Sequence, residues 1–110
     1  MPTVMSMEWP GVTQDQYNQI MRTLELDKNP PSGCMLHMAA FNSGMLRCMD
    51  IWESQQVFEK FQKERLTSAV QKAGITTQPK IQFFPVYNIY VPNMEAIRKT
   101  GSSSMPTAAA

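Results

Sequence analysis

Residues 34–53 constrain the fold of this chain more than any other stretch. Two apolar, β-prone runs, CMLHMAAF and MLRCMDIWE, flank the short connection Asn42-Ser43-Gly44. Asparagine and glycine tolerate the positive φ that a tight antiparallel connection demands, so the pattern predicts a β-hairpin. The hairpin carries the single histidine (His37), both cysteines, and the charged residues Arg47 and Asp50. Any chemical site in this chain is therefore expected to be lined by it. A turn over residues 42–44 sets Phe41 opposite Met45, Cys48 opposite Met38 and His37 opposite Met49, with Arg47 on the His37 side and Asp50 on the other. A one-residue change of turn pairs His37 with Cys48 or Asp50 instead, because side chains alternate faces with period two. In the first register Cys34 lies roughly 13 Å beyond the residue facing Cys48, at normal strand rise. A disulfide needs Cα atoms within about 7 Å, so both cysteines read as free, packing thiols.

The flanking segments supply the rest of an α+β pattern. Thr3, Met5, Met7 and Trp9 alternate with Val4, Ser6 and Glu8, as in a central strand, until Pro10-Gly11 stops it. Thr13 and Gln16 form a capping box for a helix whose Tyr17, Ile20, Met21 and Leu24 make one buried stripe. Asn29-Pro30-Pro31-Ser32-Gly33 then forms a loop. Ser54 is the expected N-cap of a second helix, with Val57, Phe58, Phe61, Leu66, Ala69, Val70 and Ala73 as its apolar stripe and Gly74 just past its end. The last extended run, KIQFFPVYNIYVP, contains Pro85, which cannot donate to a ladder; it is an edge strand or bends there and continues elsewhere.

The order strand, helix, strand, strand, helix, strand predicts a ferredoxin-like βαββαβ domain: a four-stranded antiparallel sheet with two helices on one face. Residues 1–92 are expected to form this domain. Residues 93–110 are expected to be a tail, with one helical turn over Met94–Lys99 before a Ser/Ala-rich end. The strands carry apolar residues on both faces, yet the helices cover only one. A second copy of the same sheet is the simplest cover for the other. At 110 residues the chain has only a modest core, which also favours association. The net charge of +1 and the lack of a basic stripe argue against nucleic acid. No apolar run is long enough for a membrane helix and no signal-peptide core precedes the first strand, so a cytoplasmic protein is expected.

The runs Trp9-Pro10-Gly11-Val12, Asp50-Ile51-Trp52-Glu53-Ser54-Gln55-Gln56-Val57-Phe58 and Phe84-Pro85-Val86-Tyr87-Asn88-Ile89-Tyr90 resemble the dimeric α/β-barrel superfamily. That group includes the antibiotic biosynthesis monooxygenase-like proteins and the stress-responsive barrel proteins. The resemblance covers about residues 2–92 and implies a homodimeric barrel, with residues Val86 to Val91 placed to extend onto the partner and a ligand cavity between the sheets. It implies either a cofactor-independent monooxygenase-like enzyme acting on an aromatic or apolar substrate, or a non-catalytic dimeric binding module. In the enzymes of this group buried polar side chains deprotonate a phenolic substrate that itself activates oxygen. Haem-degrading members carry a histidine late in the second helix; aligned through Trp52-Glu53-Ser54, that place falls near Gln71, so the resemblance does not extend to haem.

No cofactor is expected, since no nucleotide, zinc or nucleophile-elbow motif is present. Ten methionines and one histidine admit a soft-metal site on paper, but without an M-x-x-M cluster the methionines read as adaptable packing and no metal is expected. His37 is either a hydrogen-bonded structural residue or a general base oriented by a carboxylate. His37 and Arg47 are the candidate catalytic residues. Glu8, Asn88, Tyr90 and Met49 are the candidate ligand-binding residues. Glu8 needs a partner if it faces an apolar lumen, and Arg47 on the adjacent strand is the expected one; alternatively both stay partly solvated near the strand ends.

Overall fold

The computed structural model describes residues 1–101. The Ser/Ala-rich end, from residue 102, lies outside the described residues. β1 (Thr3–Pro10) leads into α1 (Gln14–Leu24), and the hairpin follows as β2 (Cys34–Asn42) and β3 (Met45–Trp52). The second helical region is continuous but not uniform: α2 (Gln55–Phe61), a π-helical segment (Gln62–Leu66) and α3 (Thr67–Lys72). β4 (Lys80–Pro85) and α4 (Met94–Thr100) complete the chain. The strands pair antiparallel in the order β2-β3-β1-β4, the ferredoxin-like arrangement the element order predicts.

Binary patterning decides the faces. Met5, Met7 and Trp9 of β1 and Leu46, Cys48 and Trp52 of β3 are buried, and they pack against Tyr17, Ile20, Met21, Leu24, Phe58 and Ala69 from the helices. α1 starts with the expected capping box: the Gln16 N–H donates to Thr13 Oγ1 at 3.1 Å and the Thr13 N–H to Gln16 Oε1 at 3.0 Å. The two helical regions hold each other's C-termini. Arg65 Nη2 donates to the Leu24 carbonyl at 2.8 Å, and Gln19 Nε2 donates to the Lys72 carbonyl at 3.1 Å, satisfying carbonyls that helix ends leave unpaired. The π-helical segment absorbs an irregularity of the apolar stripe, which steps five residues from Phe61 to Leu66; both the N–H and the hydroxyl of Thr67 bond the Gln62 carbonyl five residues back.

One expectation is corrected. The hairpin turns on two residues, Ser43 (φ 53) and Gly44 (φ 72), so Asn42 pairs with Met45 and Phe41 with Leu46. Positive φ at both central positions is the turn whose twist matches the strands, and this preference outweighs the strain of a serine in the left-handed region. The register therefore moves by one: His37 faces Asp50, not Met49. The last extended run does reach the sheet edge beside β1, where Pro85 is tolerable, but its ladder ends there. The Val86 N–H still donates to the Pro2 carbonyl at 3.0 Å; beyond it residues 87–91 make no strand, and Tyr87 and Tyr90 are exposed.

Candidate functional site

The one-residue shift of register assembles the site. In β3, Asp50 points into the helix-covered side of the sheet, where it is 5% exposed among apolar side chains. Its two oxygens each take one hydrogen. His37, directly across the ladder on β2, brings Nδ1 to 2.7 Å from Oδ1, and the Trp52 indole Nε1 donates to Oδ2 at 3.0 Å. On the far side of the imidazole, His37 Nε2 lies 2.6 Å from the hydroxyl of Tyr17, which α1 presents from above the sheet. The polarity of this chain follows from its ends. An indole only donates and a carboxylate only accepts, so Asp50 receives the His37 Nδ1–H and leaves Nε2 to accept from the Tyr17 O–H.

The surroundings are apolar. The Tyr17 and His37 rings lie nearly parallel with centroids 6.1 Å apart, and Trp52 packs against Phe58 and Phe61, each 5.3 Å away between centroids. Burial pushes the Tyr17 phenol well above its ordinary value, with Cys48, once it ionises, and Asp50 adding to the shift. Burial pushes the Cys48 thiol up to about 12 and the Cys34 thiol up to about 11, with Asp50 adding to both. Both cysteines are free thiols at neutral pH, not thiolate nucleophiles. Tyr17, His37, Asp50 and Trp52 line a cavity of about 80 Å³ between the sheet and the helices. Among the described residues, no three His, Cys, Asp or Glu side chains stand close enough to hold a metal ion. No helix among them is long and apolar enough to cross a membrane.

The residues singled out from the sequence divide between two faces. His37 is in the buried chain. Arg47 is on the opposite, open face of the sheet, where its Nη1 lies 3.5 Å from Glu8 Oε2 across β1 and β3; the Glu8–Arg47 pair forms as expected, and both members are partly solvated. Met49 is on that open face as well. Asn88 and Tyr90 are exposed beyond the end of β4 and touch neither group. Sequence reading missed Tyr17, Asp50 and Trp52 as members of one unit. The alternative register that faces His37 with Asp50 was the signal for Asp50; Tyr17 stood only as one position of a helical stripe.

No family model matches the chain, and no curated protein matches it. Solved structures do. Rv0793 from Mycobacterium tuberculosis superposes with a TM-score of 0.63 at 8% identity, over 83% of this chain and 100% of that one. A structure described as an antibiotic biosynthesis monooxygenase gives 0.56 at 10% identity, over 80% and 100%. The chain shares the fold of the antibiotic biosynthesis monooxygenase-like proteins. A third structure with this monooxygenase-like fold, a monooxygenase from the gene ActVA-Orf6 of Streptomyces coelicolor, was solved in complex with the ligand Nanaomycin D; it gives 0.52 at 15% identity, over 82% and 91%.

Proposed function

We propose that this protein is a homodimeric, small-molecule-binding barrel that removes a proton from a hydroxyl-bearing aromatic or apolar substrate, as a cofactor-independent monooxygenase-like enzyme. The observation that carries the reading is the chain Tyr17–His37–Asp50–Trp52, because it is a complete base with an orienting carboxylate set in an apolar cavity. Both imidazole nitrogens are occupied, so the substrate meets Tyr17 rather than His37. A substrate hydroxyl donates to the free lone pair of the Tyr17 oxygen; as its proton moves onto that oxygen, the Tyr17 proton moves to His37 Nε2. Asp50 stabilises the imidazolium that results. The tyrosine is neutral before and after, as its burial requires. The substrate anion is the electron donor to dioxygen: one oxygen atom enters the substrate, which gives up two hydrogens, and the other oxygen leaves as water. His37 is the base in this reading. Arg47, Glu8 and Met49 serve the open face, where the second copy sits, and Asn88 and Tyr90 belong to the segment that reaches toward it.

The half-exposed apolar residues of the open sheet face favour a second reading, a dimeric module without catalysis, in which the buried chain is structural. Oxygen uptake with hydroquinone-type substrates separates the two. Tyr17→Phe and His37→Ala should each slow turnover by roughly 10²–10⁴-fold, the usual worth of general acid–base catalysis, with the dimer and far-UV spectrum intact. Uptake by the wild type that neither change alters removes the relay from the mechanism, and no uptake with any such substrate leaves the module. Native mass spectrometry with a denatured control supplies the candidate substrate, since a mass released on denaturation names its class.

A further inference from the structure

A second cavity of about 330 Å³ lies outside the buried chain, between the π-helical segment, α3 and the loop before β4. It touches the first cavity through a shared wall of Met7, Trp9 and Leu66. The chemistry on its far side is different. Gln62, Thr67, Gln71, Thr76, Thr77 and Gln78 line it, and none of its lining residues is ionisable. Among the described residues the side chains of Gln62, Gln71, Thr76 and Gln78 make no hydrogen bond to the protein, and all but Gln62 are exposed, so their donors and acceptors are open to solvent or to a ligand.

Volume sets the division of labour. The inner cavity, at about 80 Å³, has roughly half the ~150 Å³ of an apolar cavity that takes up benzene, so it accepts only the end of a substrate. The outer cavity by itself reaches the lower end of the ~300–1,000 Å³ range of small-molecule sites. The wall between them has one fixed member and two adaptable ones. The Trp9 indole is pinned, its Nε1 donating to Thr77 Oγ1 at 3.0 Å and sharing the Thr77 carbonyl at 3.2 Å. Met7 is unbranched and finds alternative rotamers easily, and Leu66 ends the π-helical segment, where the helical hydrogen-bond pattern is already relaxed.

We infer that the ligand is a neutral amphipathic molecule spanning both cavities, with its hydroxyl-bearing apolar end at Tyr17 and an uncharged, hydrogen-bonding portion (amide, carbonyl or hydroxyl) held by the glutamines and threonines outside Leu66. An ionised group is disfavoured in the outer cavity: no lining residue offers it a counter-charge, and in so open a site it keeps its water rather than exchanging it for the glutamines and threonines. The inference rests on the proposed function only for which end of the ligand meets the relay.

The chain's two tryptophans sit differently: Trp52 lines only the inner cavity, and Trp9 stands in the wall and lines both. Their indole ¹H–¹⁵N signals, assigned with Trp9→Phe and Trp52→Phe, are followed while the protein is titrated with three phenols. 4-Acetamidophenol has a neutral polar tail, 4-hydroxybenzoate a charged one, and phenol none. The expected result is that 4-acetamidophenol moves both signals along one saturation curve, and that 4-hydroxybenzoate binds at least tenfold more weakly. The double change Gln62→Ala/Gln71→Ala should weaken 4-acetamidophenol by roughly tenfold while phenol binds both proteins alike. Movement of Trp52 alone, equal binding of the carboxylate, or unchanged binding of 4-acetamidophenol to the Gln62→Ala/Gln71→Ala protein overturns the two-cavity ligand and leaves the proton-abstraction reading standing. Movement of Trp9 alone detaches the outer cavity from the relay and overturns the inference. No movement of either signal with any of the three phenols overturns both.

Discussion

Asp50 sits in a wall of methionine, leucine and aromatic side chains, where an ionised carboxylate persists only if each oxygen has a donor. Trp52 and His37 supply one each, which makes Trp52 more than a packing ring. Trp52→Phe keeps most of the ring volume but strips Oδ2 of its donor, and should lower unfolding stability by about 1–3 kcal/mol in denaturant titration, the cost of a buried acceptor left unpaired. If Trp52→Phe melts like the wild type, water replaces the indole and the buried chain is less dry than its lining implies. The thiols give a second prediction at this scale. The folded protein holds Cys34 and Cys48 neutral to about 11 and about 12, whereas unfolding returns both to the ordinary thiol range. Between the unfolded and folded values the unfolded state binds fewer protons, so stability must fall as pH rises through that interval. Thermal melts from pH 8 to 11 should show this decline, and Cys48→Ala should make it shallower; an equal slope in both proteins removes Cys48 from the linkage. Little of this was legible from sequence. His37 stood out as the single histidine, but its partner depended on whether the turn used two residues or three, and Tyr17 was indistinguishable from the rest of its buried stripe.

Elements were more legible than residues, because their signals are local. The Thr13/Gln16 box, the Ser54 cap and the stripes of α1 and α2 are all where the spacing put them. What periodicity alone did not resolve is the π-helical segment, although its cause stands in the sequence: a five-residue step from Phe61 to Leu66 that an unbroken α-helix would turn away from the core. The loop before β2 holds a tighter constraint. Gly33 has φ +83, its carbonyl accepts from the Glu53 N–H at 2.9 Å, and a Cβ there would overlap Val57 Cγ1 and sit 3.2 Å from Glu53 Oε2. Gly33 thus lets the loop close against the start of α2. Gly33→Ala should cost about 2–4 kcal/mol, from left-handed strain of roughly 1–2 kcal/mol plus the overlap. Val57→Ala in the same chain relieves only the overlap, so the double variant should be less destabilised than the sum of the two single ones. Strict additivity in a double-mutant cycle would show that backbone conformation accounts for the whole effect.

At the scale of the molecule, the sheet has a finished side and an unfinished one. Helices cover the side that holds the buried chain. The other carries Leu36, Met38, Met49, Ile51 and Phe84, of which Met38, Met49 and Phe84 are 52%, 47% and 49% exposed. This contiguous apolar surface is bordered by the Glu8–Arg47 pair, and past the edge strand Tyr87 and Tyr90 stand clear of the fold. Element order made the bare face legible in advance, since two helices cannot cover both sides of four strands. The proposed dimer sets two such faces together, with Met49 near the middle of each. A lysine at that position carries a charge that a closed interface would have to strip of water with no partner aligned to receive it. Met49→Lys should therefore weaken the dimer by about 10²–10³-fold, equivalent to about 3–4 kcal/mol, while leaving the far-UV spectrum unchanged. Sedimentation velocity at micromolar protein distinguishes the cases. A wild-type dimer with a monomeric variant locates the contact on this face. A dimer in both moves the contact elsewhere, with the exposed segment after Pro85 the next surface to alter. A wild-type monomer leaves the bare face without a second copy, and the relay beneath the helices then has to act, if it acts, within a single chain.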